Sequence, residues 1–214
     1  MTAHYVWVAL FLLGCYHGIN PGMGWLFAVA LGFQERSAVA VVKAIVPLVL
    51  GHLISVAAIV FVATVAAARL PHPLVHGASA AILIGYGIYR LIRVRHPRWV
   101  GMRVGFWGLV FWGFLMSSAH GAGLMLLPFI ASVHAAEPVM AGMPAMPAAP
   151  YGIGIGTSVL YVAIHTLGYV TALTLIALVV YWKVGVGFLR TGWLNVDGVW
   201  SIALVVTGVI ALFT

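Results

Sequence analysis

The chain has 214 residues, of which 64% are hydrophobic and 6% are charged, and its mean hydropathy is +1.15. Because about a quarter of the residues in soluble domains are charged, this composition excludes an ordinary soluble domain and indicates an integral membrane protein. The net charge of +7 reflects basic residues concentrated in particular loops, so we expect no nucleic-acid partner. The single cysteine, Cys15, excludes an internal disulfide and a CxxC motif.

Six apolar runs are long enough to cross about 30 Å of hydrocarbon, which takes about 20 helical residues. The first run lacks a preceding basic region and an A-x-A cleavage site, so we expect it to remain in the mature protein. The first and fourth runs exceed the length of one span and contain glycines, which predicts broken helices, whereas the others are predicted to be plain helices. The runs lie near residues 5–32, 38–68, 74–94, 105–133, 155–182 and 194–213.

Positive charge predicts the orientation of the spans. Nine of the ten basic residues lie in or near three of the connecting loops, and only Arg69 lies near a loop on the opposite side. Since cytoplasmic loops carry an excess of Lys and Arg, these three loops are predicted to be cytoplasmic and both termini to be outside, in a bacterial inner membrane. The nine residues are Arg36, Lys43, Arg90, Arg93, Arg95, Arg98, Arg103, Lys183 and Arg190.

The first run is interrupted in its middle by His17-Gly18-Ile19-Asn20-Pro21-Gly22-Met23-Gly24. Glycines and a proline weaken the helix there and free backbone groups that hydrocarbon cannot satisfy, so the break is predicted to face protein or a wet cavity. Transporters often place binding sites at such broken helices. We assign a gating role to Gly18, Pro21, Gly22 and Gly24, and to Gly121 and Gly123 of the fourth run.

The two halves of the chain share a pattern. The first-run segment Leu13-Gly14-Cys15-Tyr16-His17-Gly18 corresponds to Met116-Ser117-Ser118-Ala119-His120-Gly121 in the fourth run. Likewise His52-Leu53-Ile54-Ser55-Val56 corresponds to His165-Thr166-Leu167-Gly168-Tyr169. Because each half has three spans, the second half enters the membrane inverted. We therefore predict an all-α integral membrane protein with one domain, 1–214, built as a 3+3 inverted-topology repeat of residues 1–95 and 104–214.

Four histidines occupy matched positions in this repeat. At about 1.5 Å per residue, His17, His52 and His120 lie roughly 20 Å from the start of their spans and His165 roughly 15 Å, all in the central layer of the membrane. One buried histidine often only bonds a neighbouring carbonyl, but four at one depth predict a shared substrate or ion site. Neutral imidazole binds Cu, Ni, Co or Zn and also relays protons near neutral pH.

Several neighbours of these histidines are also candidates for the site. Tyr161 and Tyr169 share a helix face with His165, so that face is predicted to line a pathway or, alternatively, to form hydrogen bonds between helices. Asn20 could offer its amide to a substrate or satisfy carbonyls freed by the break. Ser117 and Ser118 are predicted to bond the backbone at the second break.

The region between the fourth and fifth runs combines histidine, methionine and proline in an alanine-rich background. Thioether and imidazole groups suit capture of a soft cation on the outer side, although a loop lying against lipid headgroups would have a similar composition. The residues concerned are His134, Met140, Met143 and Met146.

The three acidic residues, Glu35, Glu137 and Asp197, all map to loops or span ends. No carboxylate is therefore predicted inside the membrane. A divalent cation held by neutral ligands alone would keep its full charge in a low-dielectric site, which is costly. This argument favours a soft monovalent ion, a neutral solute or an anionic solute.

Two segments resemble the lysine-exporter (LysE) superfamily. Asn20-Pro21-Gly22-Met23-Gly24, followed by Gln34-Glu35-Arg36, is similar to the Pro-Gly signature of its first span, and Ile82-Leu83-Ile84-Gly85-Tyr86-Gly87-Ile88-Tyr89-Arg90-Leu91-Ile92-Arg93 resembles its third span. The resemblance implies a six-span transporter related to amino-acid exporters, nickel/cobalt efflux permeases and the thiol carriers of cytochrome c biogenesis. The chain lacks the paired cysteines of those carriers and the His/Asp metal motif of those permeases.

Three functions are compatible with these patterns. The first is a non-enzymatic secondary transporter that moves Cu, Ni or Co by alternating access, with His17, His52, His120 and His165 as ligands and no permanent cofactor beyond the bound ion. The second is an exporter of an amino acid or another small organic solute, in which the histidines carry coupling protons. The third is a membrane redox protein that holds a metal or haem. The expected partners are the lipid bilayer and the transported ion or solute, and a homodimer is left open.

Overall fold

The structure, a computed structural model, describes residues 3–92, 104–133, 155–184 and 196–213. Every regular element in these ranges is a helix, which confirms the predicted all-α class. Short 3-10 turns at Pro21–Met23 and Leu124–Leu126 and a π turn at Val180–Val184 supplement the α-helices. The α-helices are α1 (Ala3–Ile19), α2 (Trp25–Glu35), α3 (Ala38–Arg69), α4 (His72–Ile92), α5 (Phe106–His120), α6 (Leu127–Val133), α7 (Ile155–Val179) and α8 (Val196–Phe213).

Several of these helices could cross a membrane. In the described ranges three are long and apolar enough, namely Ala38–Arg69, Pro73–Ile92 and Gly156–Lys183, and a fourth results if the bent pair of α5 and α6 counts as one span. α1 and α8 are apolar but shorter. Large apolar side chains such as Phe61 and Trp107 are exposed, as expected on a surface in contact with lipid. The fold is thus compatible with a membrane protein, and six crossings stay a prediction.

The helix break predicted in the first run lies between α1 and α2 and is confirmed as an interruption of the helix. Asn20 has extended backbone geometry, and Pro21 begins the short 3-10 turn. Gly24 has a φ of 115°, in the left-handed region that a residue with a Cβ rarely adopts. A Cβ atom at Gly24 would also press against the side chain of Leu48 in α3. Glycine is therefore required there on both counts.

The second break lies between α5 and α6. Gly121 ends α5 with a φ of 69°, and the segments on either side of the break meet at 50°. The second run, predicted as a plain helix, forms α3 without interruption even though Pro47 lies inside it. In the two broken runs further glycines follow the His-Gly pair within six residues, whereas none does so after His76-Gly77 in the unbroken helix α4.

The helices pack in pairs that combine the two halves of the chain. α1 packs along α7, α3 along α5 and α4 along α8, and α3 also contacts α7. A Cβ atom at Gly14 would clash with the carbonyl oxygen of His165, and one at Gly51 would clash with that of Val110. The backbones of α1/α7 and α3/α5 thus touch directly, the mode of packing that small residues allow between membrane helices. The two crossings bring the C-terminal parts of α1 and α5 together with the middle parts of α3 and α7.

Candidate functional site

Four histidines, one from each of these four helices, form a buried cluster. His17 lies in the last turn of α1 and His120 is the last residue of α5, while His52 and His165 lie in the middle of α3 and α7. The exposed fraction of each side chain is 0%. The breaks in the first and fourth runs therefore place two of the histidines at helix C-termini, and the unbroken helices supply the other two.

His17 is at the centre of the histidine cluster. Its ring centre lies 5.2 Å from that of His52 and 5.9 Å from that of His165, and His52 and His165 are 5.5 Å apart. His120 is close enough to His17 to interact with it electrostatically. The structure thus brings together the four histidines that the sequence analysis predicted to share a site.

Two of the histidines are oriented through Nδ1 by groups of α5. His52 Nδ1 lies 2.9 Å from Ser117 Oγ, and His120 Nδ1 donates to the Met116 carbonyl at 2.8 Å. Because a carbonyl can only accept, the neutral His120 ring carries its lone pair on Nε2. Histidines that bind metals are commonly held in this way through the other ring nitrogen.

The remaining ring nitrogens are less constrained. His52 Nε2 and both nitrogens of His165 have no hydrogen-bond partner among the described residues. The backbone of Leu10 lies near His165 but outside hydrogen-bond geometry. His165 therefore lacks a hydrogen bond of the kind that orients His52 and His120.

The spacing of the rings fits a shared ion better than their orientation does. With metal–nitrogen distances of about 2 Å, rings around one ion have centres roughly 5 Å apart, close to the separations here. However, in the described residues no three His, Cys, Asp or Glu side chains are placed to hold a metal. The planes of the His52 and His165 rings are 18° apart. Holding an ion would require at least one ring to rotate.

Three aromatic donors satisfy carbonyls of the first break. Trp25 Nε1 donates to the Ile19 carbonyl and Trp112 Nε1 to the Gly22 carbonyl, each at 3.0 Å, and the Tyr169 hydroxyl donates to the Met23 carbonyl at 2.9 Å. The break therefore faces protein, as its freed backbone groups require. The sequence analysis missed Trp25 and Trp112, for which the available signal was an indole N–H, an obligatory donor, within an apolar span.

Tyr169, predicted to bind substrate, has a structural role as well. Its ring stacks on His52 with centres 3.9 Å apart and planes 15° apart, while its hydroxyl is engaged with the first break. Tyr161 packs edge-on against Trp7 in a separate apolar cluster, and Ser158 bonds Thr64 of α3. At these positions the polar face of α7 makes contacts between helices, which was the alternative to lining a pathway.

The second break has its own donor, which sequence analysis also missed. The hydroxyl of Tyr86 in α4 donates to the Ala119 carbonyl. Ser117 bonds His52, and Ser118 Oγ lies 2.8 Å from Ser55 Oγ. The prediction that these two serines bond the backbone is therefore wrong, because facing polar side chains of α3 are within reach.

The predicted gating residues lie in close packing. A Cβ atom at Gly18 would meet the Tyr169 carbonyl, and one at Gly123 would meet Ile59. Pro21 and Gly22 form the turn of the first break. The outer-loop residues suggested for capturing a soft cation lie outside the described residues; they are His134, Met140, Met143 and Met146.

Comparison with protein-family models, curated proteins and solved structures finds no match to this chain.

Proposed function

We propose that the chain is a secondary transporter of a transition-metal ion such as Cu, Ni or Co, which crosses the membrane through the histidine cluster. The observation that carries this proposal is the burial of four imidazoles from four helices at one place. Imidazole is a ligand for these metals, and two of the rings are already oriented through Nδ1. Polar groups at this depth are costly unless they serve a substrate or a partner.

The helix ends at the cluster also favour a cation. His17 and His120 lie in the last turns of α1 and α5, where the helix dipole contributes partial negative charge. Transporters with broken helices use such C-terminal ends to bind coupling cations. A positive ion beside His17 and His120 would gain from both helix ends.

The pairing of helices supports a 3+3 inverted repeat with six crossings. If the halves are exchanged, α1 takes the place of α5 and α3 that of α7, so the α1/α7 pair becomes α5/α3. The α4/α8 and α3/α7 contacts each map onto themselves under the same exchange. In this arrangement one half rocks against the other around the histidine cluster, giving alternating access. The outside location of both termini in a bacterial inner membrane belongs to the same proposal.

Uptake by proteoliposomes tests this function. Vesicles that contain the full chain are expected to accumulate at least one of Cu⁺, Ni²⁺, Co²⁺ and Zn²⁺, whereas His17→Ala removes the central ligand and is expected to lower uptake more than about ten-fold. The control is His76→Ala, which changes a histidine of α4 outside the cluster. The proposal fails if none of the four metals accumulates, or if His17→Ala transports like His76→Ala.

A second candidate, export of a small organic solute with histidines as proton carriers, is favoured by one observation. Among the residues that the structure describes, no three His, Cys, Asp or Glu side chains are placed to hold a metal. Imidazoles close to one another can still exchange protons. Proton flux across vesicles driven by an amino-acid gradient in metal-free buffer would distinguish this function from metal transport.

A further inference from the structure

The side chain of Asn20 is buried, with an exposed fraction of 3%, and its two ends have different environments. One end accepts a hydrogen bond from the backbone N–H of Gly22 at 2.9 Å. Because a backbone N–H can only donate, this end is Oδ1 and the other end is the Nδ2 donor. No described residue accepts a hydrogen bond from Nδ2. A buried amide donor without an acceptor is costly, which calls for a ligand.

The break itself does not supply that acceptor. The carbonyls of Ile19, Gly22 and Met23 accept from Trp25, Trp112 and Tyr169, respectively. The capping bond to Gly22 uses only Oδ1. The structural role of Asn20 is therefore complete without Nδ2.

The Asn20 amide lies next to the histidine cluster. A Cβ atom at Gly22 would stand 3.0 Å from Met116 Cε, 3.3 Å from Asn20 Oδ1 and 3.5 Å from His120 Cε1, so Asn20 and His120 both lie beside Gly22. His17 and His120 lie at C-terminal helix ends, which favour positive charge. The amide N–H of Asn20 can donate a hydrogen bond to an anion, so the site combines helix ends suited to a cation with a donor suited to an anion.

We propose that the metal ion occupies the cluster together with a small carboxylate anion, such as acetate, that accepts a hydrogen bond from Asn20 Nδ2. This inference rests on the proposed metal transport. The ligands proposed for the ion are imidazoles, and neutral imidazoles leave a divalent ion with its full charge. An accompanying anion lowers the charge that must cross the membrane and supplies the acceptor for Asn20.

Cobalt binding in the presence and absence of acetate tests the inference on the purified full chain. The visible absorption of Co²⁺ reports its ligands, and perchlorate serves as a weakly coordinating reference anion. For the wild type we expect a saturable change of the Co²⁺ spectrum on addition of acetate. Asn20→Ser keeps an oxygen that can cap the turn but lacks the amide donor, so its acetate affinity is expected to fall about ten-fold while Co²⁺ affinity in perchlorate is retained.

Asn20→Asp provides the complementary variant. Its carboxylate also caps the turn and brings the negative charge into the site, so we expect tighter Co²⁺ binding in perchlorate and no spectral response to acetate. A wild type that binds Co²⁺ without responding to acetate overturns the inference and leaves metal transport standing. The same holds if Asn20→Ser binds acetate as the wild type does. A wild type that binds no Co²⁺, Ni²⁺, Cu⁺ or Zn²⁺ overturns the proposed function and this inference with it.

Discussion

The α1/α7 and α3/α5 pairs cross at the same cluster and hold their histidines by different means. In α3/α5, close contact at Gly51 is accompanied by hydroxyl groups, since Ser117 bonds His52 and Ser118 bonds Ser55. In α1/α7, the positions that correspond to the three serines are Gly14, Cys15 and Gly168, and Gly14 and Gly168 lie against the backbone of the partner helix.

The difference separates two ways of packing a buried histidine between helices. The Ser117 hydroxyl holds the ring of His52 in one orientation, whereas backbone contact at Gly14 leaves His165 without a hydroxyl partner. If an ion binds, at least one ring must rotate, and we expect His165 to move and His52 to remain in place. The two histidines therefore need not have equivalent roles.

The largest expected effect on stability comes from substituting glycines at which two helix backbones touch. Gly14→Ala and Gly51→Ala place a Cβ atom against the carbonyl oxygens of His165 and Val110, respectively, so each is expected to lower the free energy of unfolding by roughly 3 kcal/mol. The control is Gly85→Ala in α4, where a Cβ atom meets nothing within 4 Å. Unfolding in detergent, followed by circular dichroism, measures the difference. Equal stability of Gly14→Ala and Gly85→Ala would show that α1 and α7 are not in backbone contact.

An intermediate effect is expected where the two pairs meet at the first break. Trp112 of α5 donates to the Gly22 carbonyl of the break that follows α1. Trp112→Phe leaves this carbonyl unpaired, so the free energy of unfolding is expected to fall by about 1–3 kcal/mol. Trp107→Phe, on the same helix, is the matched control because Trp107 is 74% exposed. The same detergent assay compares them, and no difference between the two variants would contradict the role assigned to Trp112.

The sequence predicts the parts of this site that depend on local signals. A His-Gly pair in an apolar run and a proline beside glycines are visible without the fold, and they correctly locate the breaks after His17 and His120. The donors Trp25, Trp112 and Tyr86 could not be assigned in advance, because an aromatic residue in a span equally suits lipid contact or the interface. Which carbonyl each one reaches depends on how distant segments pack.

Ring orientation was also beyond sequence analysis. Ser117 was expected to bond its own backbone, which is the usual local choice for a serine in a helix. The packing of α3 against α5 offers it His52 instead. Whether the ring of a buried histidine is held by a hydrogen bond therefore depends on the residue opposite, which differs between the α3/α5 and α1/α7 pairs.

The smallest effect on stability is expected from removing the hydroxyl groups of Ser117 and Ser118 in α5. These substitutions nevertheless test the difference between His52 and His165 most directly. Ser117→Ala removes the Nδ1 partner of His52. Because the loss of a bond that orients a metal ligand typically lowers metal affinity about ten-fold or more, we expect the affinity for Co²⁺ to fall about ten-fold. Ser118→Ala removes a similar bond, to Ser55, that touches no histidine, so it should alter stability alone. Isothermal titration calorimetry with Co²⁺ measures the affinity of both variants. If the two bind Co²⁺ equally, Ser117 does not hold His52 for an ion, and His52 and His165 are equivalent despite their different surroundings.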